Sequence, residues 1–176
     1  MSTIPNVAVF GEALFDMIQQ PNNSFLPFIG GSPYNVARSF VRQGVACTYL
    51  SPISTDDLGE KIYQSAQDDG ISLPDNYRSN KNTSLALVYK DEQGKPSYRL
   101  YRKGVADLDV TPDTLLNALP NDLTLFHTGS LALVPDMLDV LIPVIKVLKE
   151  QGVKISIDVN VRKGVENNHQ QYIAAI

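Results

Sequence analysis

The chain has 176 residues, 43% of them hydrophobic and 19% charged, with a formal net charge of −4. This composition excludes a disordered or collagen-like chain, the apolar runs are too short to span a bilayer, and the scattered Lys and Arg residues exclude a nucleic-acid footprint. A lone Cys47 cannot form an internal disulfide, and His127 and His169 lie at no metal-ligand spacing, so we expect no structural zinc. The first residues show no signal-peptide pattern, which predicts a cytoplasmic location.

Strand and helix patterns alternate along the chain, which is typical of an α/β domain with a mainly parallel sheet. Gly44, Gly70 and Gly152 close helical patterns, and Thr55 or Asp56 is placed to cap a helix start. In chain order we predict strands over 7–10 and 46–50 around a helix over 33–43, a helix over 57–69, a helix from 112, and a strand–helix–strand unit over 123–126, 135–151 and 153–157. The predicted apolar face of the last helix consists of Leu138, Leu141, Ile142, Ile145 and Leu148.

Two segments interrupt this alternation and predict β-hairpins, one over about 14–29 and one over about 84–102. In the second, Leu85, Leu87 and Tyr89 alternate to form an apolar face that needs a cover. Two such inserts predict a small sheet that projects from the main sheet. A sheet in this position can cover a ligand site as a lid.

The strongest chemical signal lies around the first insert. Gly30 and Gly31 precede a helix, where the backbone can approach a ligand closely and free amides point outward. Asn35 offers a donor and an acceptor, and an ionised Asp16 accepts from two neighbouring hydroxyls. This combination suits a polyol. On spacing alone, a tight turn at Gly-Gly, a helix cap at Ser32 and a solvated Asp16 explain the same residues.

An ordered series of motifs over nearly the whole chain resembles the PfkB/ribokinase family of carbohydrate kinases. The stretch 30–37 is similar to the family's first signature, in which Gly-Gly, a small residue, Asn and Ala recur at this spacing. The other matching stretches are, in order, Gly11-Glu12 with Asp16, 54–59, 83–89, 98–102 with Ala106-Asp107, Gly129-Ser130 and 158–162. The resemblance implies a ribokinase-like α/β fold with a mainly parallel sheet, flanking helices and a small β-sheet lid.

The resemblance also implies roles for individual residues. Asp16, Gly30, Gly31 and Asn35 are expected to bind the hydroxyls of a sugar. Arg102 resembles a lid residue that reaches the bound substrate, and a solvated charge on a strand is an equal alternative.

Further implied site residues follow two strand ends. Ser130 lies where open α/β sheets bind ligands, and it can equally cap its own turn. Asp158 and Asn160 are expected near the phosphoryl-transfer site, and Arg162 resembles a residue near the transferred phosphate or the substrate. A structural hydrogen-bond network over these residues is the alternative. Val159 stands where the family commonly has proline, which is a departure from its pattern.

One family motif is absent from the sequence. The family's aspartate base and its anion hole of glycine amides come from a Gly-Ala-Gly-Asp motif, and no glycine here precedes an aspartate. No Gly-x-x-x-x-Gly-Lys loop replaces it, and a helical pattern through Tyr172, Ile173 and Ile176 lacks a closing signal. We therefore expect residues 1–176 to be the amino-terminal, sugar-binding part of a kinase, with no catalytic residue of their own and inactive alone. The parent enzyme is expected to use ATP and Mg²⁺.

Fructose is the expected sugar, because Ser32 and the 97–102 run followed by Ala106-Asp107 resemble fructokinases. The nearest alternative is a 2-keto-3-deoxygluconate kinase, since Arg102 and Arg162 together can hold a carboxylate. A noncatalytic sugar-binding module is a third reading. A dinucleotide-binding Rossmann domain is disfavoured, because the turn after the first strand lacks Gly-x-Gly-x-x-Gly. Family members often pair through their lid sheets, which implies a homodimer.

Overall fold

The computed structural model describes residues 6–90 and 93–160. A four-stranded sheet forms its centre, and each pair of neighbouring strands is parallel, as the alternating pattern predicted. Its strands are β1 (Asn6–Phe10), β4 (Ala46–Tyr49), β9 (Leu125–Gly129) and β10 (Lys154–Asp158). Their order is β10-β9-β1-β4, so β1 lies inside the sheet between elements distant in sequence.

The helices begin and end close to the positions that the capping residues predicted. They are α1 (Ser32–Arg42), α2 (Asp57–Asp69), α3 (Pro112–Asn117) and α4 (Pro135–Glu150). Of the two candidate caps for α2, Asp56 is the one used, because its carboxylate accepts from the Gly59 amide at 2.7 Å. Among the helices in the described part of the chain, none combines the length and apolar character that crossing a membrane requires.

Both predicted hairpins form, and they join into one sheet. The strands are β2 (Leu14–Gln19), β3 (Phe25–Gly30), β7 (Ser84–Lys90) and β8 (Pro96–Tyr101). Strand order is β3-β2-β7-β8, with antiparallel pairing inside each hairpin and parallel pairing of β2 with β7 between them. We call these four strands the hairpin sheet. A short parallel pair, β5 (Ile53–Ser54) with β6 (Arg78–Ser79), lies beside α2.

Asp56 also connects α2 to the hairpin sheet. Beyond its bond to Gly59, the carboxylate accepts from the amide and the hydroxyl of Thr83, at 2.7 and 2.6 Å. Thr83 directly precedes β7. Burial acts to raise the pKa of Asp56, but these hydrogen bonds outweigh burial and hold the pKa below its ordinary value.

The central sheet is covered on both faces, which β1 shows most clearly. Val7 and Val9 belong to a buried cluster with residues of α1 and α2, whereas Ala8 and Phe10 belong to a second cluster with residues of α3 and α4. Successive side chains of a strand point to opposite faces, so one buried strand serves two cores. With both faces covered, the carboxyl ends of the strands are left as the place for a site.

Two predicted apolar faces differ from those observed. In α4 the fully buried residues are Met137, Leu141, Val144 and Leu148, while Ile142 is 37% exposed. Apolar residues surround most of this helix, so periodicity alone did not define the buried side.

In the hairpin sheet, Leu85 packs on the first core cluster, so the face that it shares with Leu87 is already partly covered. Four exposed apolar residues lie on the opposite face, namely Leu26, Phe28, Tyr98 and Leu100. Tyr101, which is 58% exposed, lies on the face of Leu85, its direct partner across the hairpin.

Candidate functional site

A cavity of about 400 Å³ lies between the hairpin sheet, the start of α1 and the carboxyl ends of β1 and β9. This edge of an open α/β sheet is where ligands bind. Most residues around the cavity are polar or lie on the inner face of the hairpin sheet. The lining residues are Glu12, Leu14, Asp16, Gly31, Ser32, Asn35, Val36, Ser39, Ala86, Tyr98, Leu100, Ser130 and Leu131.

Gly30 and Gly31 are required by close packing at the cavity wall. A Cβ at Gly30 would overlap the Asp16 carboxylate, and a Cβ at Gly31 would overlap the backbone carbonyl of Glu12. Gly31 also has φ 112°, a conformation that side-chain-bearing residues rarely adopt. The Gly-Gly motif therefore does more than turn the chain, because it leaves room for two acidic residues beside the cavity.

Asp16 and Asn35 both line the cavity, and they come from different elements. Asp16 lies on β2, where it pairs with Phe28 of β3 and Ala86 of β7. Asn35 lies in the first turn of α1, and its backbone N–H donates to the Gly31 carbonyl at 3.0 Å. The structure thus brings the predicted carboxylate and carboxamide to one cavity.

Glu12 is a buried acid that lines this cavity, and sequence reasoning did not select it as a site residue. It follows β1, and its side chain belongs to a residue only 2% exposed. Oε1 accepts from the Ser32 amide at 3.2 Å, whereas Oε2 has no hydrogen-bond partner among the described residues. Burial raises the pKa of Glu12 above its ordinary value, against the opposing effects of Arg102 and the Ser130 hydroxyl.

Arg102 does not line the cavity in this structure. Its guanidinium pairs with the buried Asp107 carboxylate and donates to the Leu131 carbonyl at 3.1 Å. Asp107 also accepts from the Ser84 hydroxyl, so the cluster ties the ends of β7 and β8 to the segment after β9. The predicted reach of Arg102 to a substrate stays a prediction.

Ser130 and Asn160 meet, as the strand order places the ends of β9 and β10 side by side. The Asn160 amide donates to the Ser130 hydroxyl at 3.3 Å, and Ser130 itself lines the cavity. Both residues have left-handed backbone conformations, with φ 54° at Ser130 and φ 34° at Asn160. Asp158 is exposed at the end of β10 and does not line the cavity, and Arg162 lies outside the described residues.

Tyr98 and Leu100 are further lining residues that sequence reasoning did not select. They alternate along β8 and face Val88 and Ala86 across the hairpin. One sequence signal could have indicated them: Tyr98 and Leu100 lie two residues apart, as Leu14 and Asp16 do on β2, and residues at this spacing share a face of a strand. A single strand gave no indication of which of its faces would cover the cavity.

The cavity suits an uncharged, hydroxyl-rich ligand. Its lining contains two carboxylates, Glu12 and Asp16, with no Lys or Arg side chain. A polyphosphate would meet repulsion there, so this cavity does not fit the phosphates of ATP. Within 6–90 and 93–160, no group of three or more His, Cys, Asp and Glu side chains is arranged to hold a metal ion.

Comparison with solved structures shows the class of fold, which is that of the ribokinase-like kinases. The chain belongs to the pfkB family of carbohydrate kinases, whose family model matches residues 5–176.

A curated fructokinase from Solanum tuberosum is 28% identical over 165 residues, which cover 89% of this chain and 52% of that protein. A 5-dehydro-2-deoxygluconokinase from Clostridium perfringens is 23% identical over 145 residues, covering 81% of this chain and 43% of that protein. The chain therefore spans about half the length of the curated relatives that it matches.

Two solved structures carry ligands. The fructokinase from Xylella fastidiosa with bound ATP superposes with a TM-score of 0.86 at 28% identity, covering 98% of this chain and 54% of that chain. A fructokinase double mutant from Vibrio cholerae, bound to fructose, ADP and a potassium ion, superposes with a TM-score of 0.78 at 26% identity. That match covers 98% of this chain and 56% of the other.

Proposed function

We propose that this chain forms the sugar-binding part of an ATP-dependent sugar kinase whose substrate is fructose. The observation that carries the proposal is the cavity of about 400 Å³ that brings Asp16, Asn35 and the Gly30-Gly31 turn together under the hairpin sheet. A ketohexose is neutral and presents a hydroxyl on most of its carbons, which matches a lining of carboxylates, a carboxamide and a hydroxyl.

Each cavity residue is assigned a different contact with the sugar. Asp16 accepts hydrogen bonds from two neighbouring sugar hydroxyls, and Asn35 offers a donor and an acceptor from α1. Gly30 and Gly31 let the backbone approach the sugar closely. Ser130 contacts it from the end of β9, held in orientation by Asn160.

The phosphoryl donor is ATP, assisted by Mg²⁺, and both bind outside the cavity described here. ATP supplies the transferred γ-phosphoryl group, and the metal neutralises its charge. Asp158, Asn160 and Arg162 are proposed to lie near the transfer site, because β10 ends beside the cavity wall formed by Ser130. The catalytic base is proposed to come from outside residues 1–176, so this chain alone does not phosphorylate fructose.

A sugar acid is the second candidate substrate, since a sugar-acid kinase is among the relatives. The described lining favours fructose, because it presents no cation to a carboxylate and Arg102 is already paired with Asp107. Arg162 is the residue on which the sugar-acid reading depends.

The test measures kcat/KM of the full-length protein for fructose, ribose and 2-keto-3-deoxygluconate by ADP formation. We expect fructose to be preferred and Asp16→Asn to lower its kcat/KM by on the order of tenfold or more, as expected for a lost charged hydrogen bond. Asp139→Asn, an exposed carboxylate on α4, is the matched control and should change nothing.

Three results would contradict the proposal. A preference for the sugar acid that disappears in Arg162→Ala establishes the second candidate instead. Fructose binding without ADP formation by the full-length protein establishes a noncatalytic sugar-binding module. An Asp16→Asn variant with unchanged kcat/KM removes Asp16 from the sugar site.

A further inference from the structure

We propose that Glu12 is a sugar-binding residue, with its Oε2 accepting a hydrogen bond from a hydroxyl of the substrate. This inference rests on the proposed function, and it concerns a residue of the same cavity. Glu12 lines the cavity although it is 2% exposed, and its Oε2 has no hydrogen-bond partner in the described ranges.

An unpartnered buried carboxylate oxygen is unusual in a folded protein. Buried polar atoms are nearly always hydrogen-bonded, and leaving one unpaired costs on the order of 1–3 kcal/mol or more for a charged group. Glu12 does have a structural contact, because Oε1 accepts from the Ser32 amide at the start of α1. That contact occupies one oxygen and leaves the other without a hydrogen-bond partner among the described residues.

The neighbouring protein groups do not supply the missing donor to Oε2. Arg102 is bound to Asp107 and to the Leu131 carbonyl. The Tyr49 hydroxyl donates to the Gly11 carbonyl at 2.5 Å. Ser130 accepts from the Asn160 amide, and its own hydroxyl lowers the pKa of Glu12 without meeting hydrogen-bond geometry with Oε2. A hydroxyl of a ligand in the cavity can supply the donor that no described group places in hydrogen-bond geometry with Oε2.

Glu12 adds a second acidic side chain to the lining of the cavity. Asp16 projects from β2, whereas Glu12 follows β1, so two carboxylates reach the cavity from different elements. Two acceptors select a ligand that donates on both sides. A sugar that carries a carboxylate or phosphate in place of the contacted hydroxyl has no proton to donate to Glu12, which makes Glu12 a determinant of specificity for free, neutral sugars.

The burial of Glu12 affects the stability of the protein in a way that is consistent with a role in ligand binding. Because burial raises the pKa of Glu12, its ionised form is disfavoured in the folded protein without a ligand. The contribution of Glu12 to stability is present at low pH and is lost as pH rises through the raised pKa. Replacing Glu12 with a neutral isostere should therefore leave the ligand-free protein equally stable or more stable at neutral pH. If Glu12 served only to stabilise the fold, the same replacement would make the ligand-free protein less stable.

The test uses Glu12→Gln in the full-length protein, which retains an oxygen for the Ser32 amide and replaces Oε2 by an amide nitrogen. Fructose affinity is measured by calorimetry and thermal stability by unfolding, with Glu150→Gln on the exposed end of α4 as the matched control. We expect Glu12→Gln to bind fructose on the order of tenfold or more weakly, with an unchanged or higher Tm. Glu150→Gln should behave as the unchanged protein.

Monodeoxy analogues of fructose identify the hydroxyl. The analogue that lacks the contacted hydroxyl should bind equally to the unchanged protein and to Glu12→Gln, while the other analogues keep the difference. Glu12→Asp, which retains the charge but withdraws it by one methylene, should lose affinity in the same pattern.

Two outcomes overturn the inference alone. One is a Glu12→Gln variant that binds fructose normally while Asp16→Asn binds weakly. The other is a loss of affinity that accompanies a loss of Tm and is equal for every analogue, which shows that Glu12 only supports the start of α1. Absence of fructose binding by the unchanged protein refutes the proposed function, and this inference with it.

Discussion

Two adjacent glycines at the cavity wall should respond very differently to the same substitution. Gly30 ends strand β3, and a Cβ there meets the end of the Asp16 side chain. Gly31 precedes α1 with φ 112°, and a Cβ there meets the rigid backbone carbonyl of Glu12. A side chain can rotate away from a new methyl group, whereas a backbone carbonyl in a packed turn cannot. Gly30→Ala should therefore damage the site, and Gly31→Ala should damage the fold.

The magnitudes follow from these contacts. For Gly30→Ala, turning Asp16 out of its rotamer costs about 0.5–1.5 kcal/mol, but it withdraws the carboxylate from the cavity. The fructose kcat/KM should fall on the order of tenfold or more, with Tm little changed. For Gly31→Ala, backbone strain of about 1–3 kcal/mol adds to an overlap of similar size, so the free energy of unfolding should fall by about 3 kcal/mol or more.

Gly44→Ala separates the cost of backbone strain from the cost of steric overlap. Gly44 has φ 76°, and a Cβ there meets nothing within 4 Å, so the substitution introduces strain without overlap. We expect a cost of about 1 kcal/mol and unchanged activity. Denaturant unfolding and ADP-release kinetics on the three variants of the full-length protein give both quantities. Equal stability loss in Gly30→Ala and Gly31→Ala, or normal kcat/KM in Gly30→Ala, would refute this account of the Gly-Gly motif.

Three further predictions concern the supports of the site. Arg102→Ala leaves the Asp107 carboxylate buried without its cation and should cost about 3–5 kcal/mol of stability in denaturant unfolding, whereas an unchanged stability would show that Arg102 serves only the substrate. Asp56→Asn should lower the free energy of unfolding by about 1–2 kcal/mol at neutral pH. Because the pKa of Asp56 is lowered in the folded protein, its contribution to stability is present above the ordinary aspartate pKa of 3.8 and is lost as pH falls through the folded pKa. Plots of the unfolding free energy against pH for the two proteins should therefore converge in acid. The exposed residues Leu26 and Phe28, 47% and 51% exposed, give the hairpin sheet an apolar face that we expect a second copy of the chain to cover. Sedimentation should show a dimer that Phe28→Asp dissociates, and a monodisperse monomer of the unchanged protein at micromolar concentration would contradict that expectation.

Local signals in the sequence determined most of the elements and part of the site. Glycines past the helix ends, together with Asp56 as one of the two candidate caps of α2, located the helices, because these signals act within a few residues of the chain. The two hairpins were predictable for the same reason, since turn chemistry and alternation are local. Asp16, Gly31 and Asn35 could be selected because their chemistry and spacing are visible in one stretch of sequence.

Only the tertiary structure decided how these pieces combine. The parallel pairing of β2 with β7 joins hairpins about seventy residues apart, and no local pattern indicates which strands of two hairpins will meet. The same pairing determines which face of the hairpin sheet covers the cavity. Glu12 and Arg102 show the consequence for the site: each is a charged residue whose sequence neighbours reveal nothing of its burial or its partner. Glu12 lines the cavity with one oxygen that has no partner among the described residues, and Arg102 pairs with Asp107, because burial and pairing are set by elements distant along the chain.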